Sequence, residues 1–114
     1  MGLFGKKNKG NASESKLKVS LNKEGDTFTF IVEGRLDTLT SPQLEGEINN
    51  IIGEAKKLVF DLAKLDYISS AGLRVLLGAA QKMDGKGEMT LIHVSEAIHE
   101  IFDITGFIQV FNIE

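Results

Sequence analysis

Residues 58–83 read LVFDLAKLDYISSAGLRVLLGAAQKM. The first five, Leu58 to Leu62, form a nearly continuous apolar run, the pattern of a central strand covered on both faces. From Ser70 the spacing turns helical: Leu73, Leu76, Leu77 and Ala80 recur at three and four residues, and the run ends near Met83, ahead of Asp84-Gly85. A buried strand feeding an amphipathic helix is the start of a strand-helix-strand crossover, which is almost always right-handed and makes the flanking strands parallel.

The rest of the chain fits around that unit. Upstream, Leu17, Val19 and Leu21 alternate with Lys18 and Ser20, and Phe28, Phe30 and Val32 alternate with Thr27, Thr29 and Ile31. The turn-rich Lys23-Glu24-Gly25-Asp26 between them predicts a hairpin. A loop over 34–40 leads to Ser41 as N-cap and Pro42 in the first helical position, with Leu44, Ile48 and Ile51 at helical spacing. Downstream, Met89 to Val94 reads as a strand. Ser95 caps a third helix with Ile98, Ile101 and Phe102 on one face, Gly106 sits where a left-handed terminal cap belongs, and Phe107 to Phe111 reads as a last strand. The predicted order is β-β-α-β-α-β-α-β: an α/β fold with a mixed sheet, an N-terminal hairpin at one edge and mostly parallel later strands.

With 114 residues, 42% hydrophobic and 25% charged, the chain suits one soluble domain. The absence of cysteine excludes a disulfide framework, a thiolate metal site and a cysteine nucleophile, and two histidines, His93 and His99, cannot build a multi-histidine metal site. No cofactor or metal is expected. No apolar run reaches the ~20 residues of a membrane span and no signal-peptide core follows the first lysines, so a cytoplasmic location is expected. Net charge is −3, which gives no support to nucleic-acid binding. The charge is uneven: Lys6, Lys7, Lys9 and Lys16 against Glu14 put +3 on the first sixteen residues. Residues 1–15 are expected to be a flexible basic tail, too poor in apolar groups to offset their ordering entropy, and residues 16–114 the folded domain.

No Walker A loop, G-x-S-x-G elbow, G-x-G-x-x-G or H-E-x-x-H is present, so no catalytic residue is assigned. His93 and His99 are read as packing or half-exposed groups, since neither has a partnered nucleophile in sequence. The distinctive segment is Ser69-Ser70-Ala71-Gly72-Leu73-Arg74. It places two hydroxyls and two small residues at a strand-to-helix junction, with Ser70 as cap or first-turn residue. From the residues alone, Ser70 capping the helix and Gly72 permitting close packing account for it.

Ser69-Ser70-Ala71-Gly72-Leu73-Arg74-Val75-Leu76-Leu77 resembles the signature of STAS domains, the sulfate-transporter and anti-sigma-factor-antagonist family. Gly34-Arg35-Leu36-Asp37, ahead of the first helix, resembles that family's second recurring segment, and the resemblance spans about residues 16–114. It implies a STAS-like single domain that switches partners as an anti-sigma factor antagonist: bound to an anti-sigma factor that is also a serine kinase, released on phosphorylation, and reset by a metal-dependent Ser/Thr phosphatase. Alignment on Gly72-Leu73 carries the phosphoacceptor onto Ser70, with the adjacent Ser69 as the alternative. Asp37 is expected beside it, and Asp37, Thr38, Ser69, Ser70, Ala71, Gly72 and Arg74 are expected to contact the partner. Ser69 stands where antagonists often carry aspartate, and Arg74 where they often carry glycine. The first departure and the basic tail motivate the alternative reading, a constitutive STAS scaffold or transporter-accessory subunit that is never phosphorylated. An enzyme with Ser70 as nucleophile would need a base that the sequence does not supply.

Overall fold

The computed structural model describes residues 16–114; the basic tail expected over 1–15 lies outside the described residues. The hairpin comes first: β1 (Leu17–Glu24) pairs antiparallel with β2 (Thr27–Leu36), in a register running from Leu17↔Gly34 to Glu24↔Thr27. Only Gly25 and Asp26 remain for the turn, and Gly25 takes the positive φ that a tight two-residue connection requires. Then follow α1 (Ser41–Ile51), β3 (Lys57–Asp61), β4 (Leu65–Ile68), α2 (Ser70–Met83), β5 (Glu88–Ile92), α3 (Glu96–Thr105), a 3-10 turn (Phe107–Gln109) and β6 (Asn112–Ile113).

The strands form a single sheet in the order β1-β2-β3-β5-β6, with β4 paired to the far end of β2. Every pairing beyond the hairpin is parallel. β3 lies at the centre of the sheet, where Leu58, Val59 and Phe60 are all buried, as its unbroken apolar run predicts. The pairs Phe28↔Leu58 and Phe30↔Phe60 line up the largest core side chains, and the Phe30 and Phe60 rings stack with centroids 5.6 Å apart. Leu44 and Ile48 of α1, Leu73, Leu76 and Met83 of α2, and Ile98 and Phe102 of α3 complete one continuous core.

Four sequence expectations shift. The strand β4 was not foreseen. Its buried residues, Leu65 and Ile68, are three apart with Asp66 and Tyr67 exposed between them, so no alternation marks it. Its pairing with β2 runs from Gly34↔Leu65 to Leu36↔Ile68 and is broken by an irregularity between Gly34 and Arg35. The N-cap of α1 is Thr40 and not Ser41; Ser41 is the first helical residue, buried, with its hydroxyl donating back to the Asp37 carbonyl. The last strand is two residues long and lies beyond Phe107–Phe111. After the left-handed Gly106 the chain coils into a 3-10 turn that brings both Phe107 and Phe111 onto one ring cluster, Phe111 meeting Phe102 edge-on at 5.4 Å. Burying those aromatics outweighs extending the sheet. Strand β5 also ends earlier than expected, because His93 turns out of it at φ +58°.

Candidate functional site at the start of helix α2

Parallel pairing brings the two sequence motifs together. Leu36 at the end of β2 opposes Ile68 at the end of β4, so Asp37 and Ser69 leave the sheet at the same level. The Ser69 N–H donates to the Leu36 carbonyl (2.9 Å) and ties the two exits to each other. Gly72 makes the close approach possible. A Cβ there would lie 2.8 Å from Leu36 Cγ and Ile68 Cγ1 and 2.9 Å from the Leu36 carbonyl oxygen.

At the junction the two serines divide the work. Ser69 is the N-cap, in extended conformation, its Oγ accepting from the Gly72 N–H (3.4 Å) and its carbonyl accepting from the Leu73 N–H (2.9 Å). Ser70 is the first helical residue and exposed, and among the described residues none bonds its hydroxyl. The N–H groups of Ser70 and Ala71 belong to the first turn, where no intrahelical acceptor exists, so the ground around the Ser70 hydroxyl carries partial positive charge. No acidic residue occupies that first turn.

The facing loop is held from within. Asp37 Oδ1 accepts from the N–H groups of Leu39 (3.0 Å) and Thr40 (3.1 Å), and Asp37 Oδ2 lies 3.7 Å from Arg35 Nε. Thr40, buried, accepts from the Asp37 N–H (2.9 Å) and donates its hydroxyl proton to the Arg35 carbonyl (2.7 Å). Asp37 is thus a loop-shaping residue, and Leu39 projects from the loop with 76% of its surface exposed. Between the first turns of α1 and α2 lies an open cleft of about 340 Å³, with Thr38, Ser41, Pro42 and Glu45 on one side and Ala71, Arg74 and Val75 on the other. Thr38 and Arg74 therefore share a cleft, Gly72 is buried beneath the junction, and Ser69 is half-buried.

Sequence reasoning did not single out Thr40, Leu39 or the pair formed by Arg35 and Tyr67, in which the guanidinium lies 4.2 Å from the ring centroid. The last follows from the register Arg35↔Tyr67, which is invisible until β4 is known. His93 lies apart from this site, its Nδ1 3.0 Å from Asp61 Oδ1 at the ends of β5 and β3, and His99 is exposed on α3. A larger open groove of about 910 Å³ runs along β1 and the β3–β4 connection. There Lys16, Lys18 and Lys64 alternate with Glu33 and Asp66, so no single sign of charge selects a ligand.

Residues 18–114 match the STAS domain family. The chain belongs to that family. BtrV of Bordetella bronchiseptica, assigned as an anti-sigma factor antagonist, is 35% identical over 97 residues, covering 83% of this chain and 84% of its own. An anti-sigma factor antagonist from Mycobacterium paratuberculosis shares the fold at a TM-score of 0.79 with 21% identity, over 86% of this chain and 85% of its own. The phosphorylated form of the Bacillus cell fate determinant SpoIIAA superposes at 0.69 with 19% identity, over 85% of this chain and 91% of its own. Antagonists of this kind are regulatory binding proteins and not enzymes. Within this STAS domain, no described helix is long and apolar enough to cross a membrane.

Proposed function

We propose that this STAS protein is an anti-sigma factor antagonist that works by partner switching, with Ser70 as the phosphoacceptor. It binds an anti-sigma factor with serine kinase activity while unphosphorylated, leaves it once phosphorylated, and is returned to the binding form by a metal-dependent Ser/Thr phosphatase. The observation that carries the reading is the division of labour at the junction. Ser69 is engaged in capping, whereas the Ser70 hydroxyl is exposed and unbonded among the described residues, in an open position that a kinase can reach. BtrV, at 35% identity, is assigned as an anti-sigma factor antagonist, which supports the regulatory role.

Serine in place of the aspartate common ahead of the acceptor does not argue against this role. Aspartate and serine are about equally good N-caps, so Ser69 keeps the geometry that the acidic residue would provide. The departure that favours a constitutive scaffold thus has a local structural account.

The energetics suit a switch. A phosphate adds about −1.5 to −2 charges at pH 7. At a helix N-terminus such charge gains about 0.3–1 kcal/mol, so the free domain keeps its fold. Inside a tight interface the same dianion, desolvated without a counter-charge, costs about 2–5 kcal/mol, or tens to thousands-fold in affinity. The interface term wins.

Two measurements on the native protein and its variants test the reading. Phosphopeptide mapping from its own cells should find phosphate on Ser70, and Ser70→Ala bait should retain a serine kinase from lysate that Ser70→Asp bait loses by at least tenfold. Phosphate on Ser69 would move the site by one residue. A protein free of phosphate under all growth conditions, with equal capture by both baits, would overturn the switch in favour of a constitutive scaffold.

A further inference from the structure

Arg74 stands four residues after Ser70 on α2, one turn further along the same helix surface. Residues at this spacing are neighbours, with Cβ atoms about 5–6 Å apart, and long side chains on a helix lean back toward its N-terminus. The guanidinium is therefore carried toward the turn that bears the Ser70 hydroxyl. Arg74 is exposed and makes no ion pair among the described residues, although Glu45 lines the same cleft. Arg35, the other nearby arginine, is already placed over the Tyr67 ring and beside Asp37. One uncommitted arginine thus lies within reach of the position a phosphate would occupy.

We propose that Arg74 closes an intramolecular ion pair with the phosphate of phosphorylated Ser70 and so is withdrawn from the partner-binding surface in the phosphorylated state. This deepens the switch argued above and rests on Ser70 as its acceptor. Without phosphate, Arg74 presents a free guanidinium in the cleft beside Thr38, fit to meet a carboxylate of the anti-sigma kinase. With phosphate, the planar guanidinium turns to the dianion, which offers charge-assisted and bidentate hydrogen bonding that a lysine could not match. Phosphorylation then acts twice: it adds negative charge to the interface and removes the positive group the partner would use. Glu45 across the cleft competes for the same guanidinium as a single carboxylate, and the dianion outbids it on charge.

The test uses the full chain with phosphoserine encoded genetically at position 70, followed by phosphorus NMR across pH 4–9. A phosphoserine loses its second proton, passing from monoanion to dianion, near pH 6. Pairing with Arg74 favours the dianion, so the titration midpoint should lie lower with Arg74 than in R74Q, by about 0.3 pH units for an exposed pair at this spacing. The helix N-terminus acts equally on both proteins and cancels from the difference. In R74K part of the shift should remain, and in 1 M salt, where the screening length is about 3 Å, most of it should vanish. R35Q is the control and should leave the midpoint unchanged. Equal midpoints in R74Q and the parent, or a shift in R35Q as large as in R74Q, would overturn the proposal. Because the phosphate is installed without a kinase, failure of the Arg74 pairing is read separately from failure to find phosphate on the native protein.

Discussion

Gly72 and Gly78 lie six residues apart on one helix, and the same substitution should move the protein in opposite directions at the two. At Gly72 a methyl group would meet the Leu36 carbonyl oxygen at 2.9 Å, besides Leu36 Cγ and Ile68 Cγ1 at 2.8 Å. The side chains can yield but the carbonyl belongs to the strand, so the helix must lift. Overpacking of this kind costs about 1–3 kcal/mol, more than the roughly 1 kcal/mol that alanine gains over glycine in a helix. Around Gly78 nothing lies within 4 Å of an added Cβ, so there only the helical gain operates. Urea denaturation should place the Gly72→Ala midpoint below the parent and the Gly78→Ala midpoint above it. Stabilisation by both would mean that α2 does not approach β2 as closely as described. Both glycines are plain in the sequence, but the difference between them is not, because it depends on Leu36, thirty-six residues upstream of Gly72.

At the scale of single elements, the helix caps show how local signals can be right in kind and displaced by one residue. The sequence pattern favours Ser41 as a cap because it precedes proline, but Ser41 turns inward to the Asp37 carbonyl and Thr40 takes the boundary. For α3 the local cap signal needs no tertiary help, and Ser95 caps it as expected, accepting from the Ile98 N–H at 3.2 Å. Strand β4 is the opposite case. Four residues paired only with the last part of β2 carry no periodicity of their own, and β4 is defined by the strand beside it. Helix α2 offers the direct test of cap assignment. Ser69→Ala should destabilise the domain by about 0.5–1 kcal/mol, the lower part of the usual range because the cap bond is long at 3.4 Å, while Ser69→Asp should be close to neutral. If Ser69→Asp were as damaging as Ser69→Ala in thermal unfolding, the serine could not be standing in for a capping carboxylate.

For the whole molecule the consequence is a separation between the residues that hold the fold and the residues available for switching. The core runs through Phe30, Phe60, Leu76 and Phe102, all fully buried, and none of the exposed groups at the α2 junction contributes to it. A folded domain of this size keeps a margin of only about 5–15 kcal/mol, so a switch that drew on the core would unfold the protein as it switched. Placing the acceptor at an exposed helix start avoids that. Phe60→Ala, which removes a ring stacked on Phe30 at the centre of the sheet, should lose about 3–5 kcal/mol, a large part of the margin. Ser70→Asp adds negative charge where the helix N-terminus favours it, gaining at most about 1 kcal/mol, and should leave the melting temperature unchanged or raise it by up to roughly 8 °C. Calorimetry on the two variants alongside kinase capture separates the functions: one variant weakened in fold, the other weakened only in binding. A fall of several degrees in the Ser70→Asp protein would place Ser70 among the residues that hold the fold, and lost capture by that variant would then report damage to the domain and not a switch.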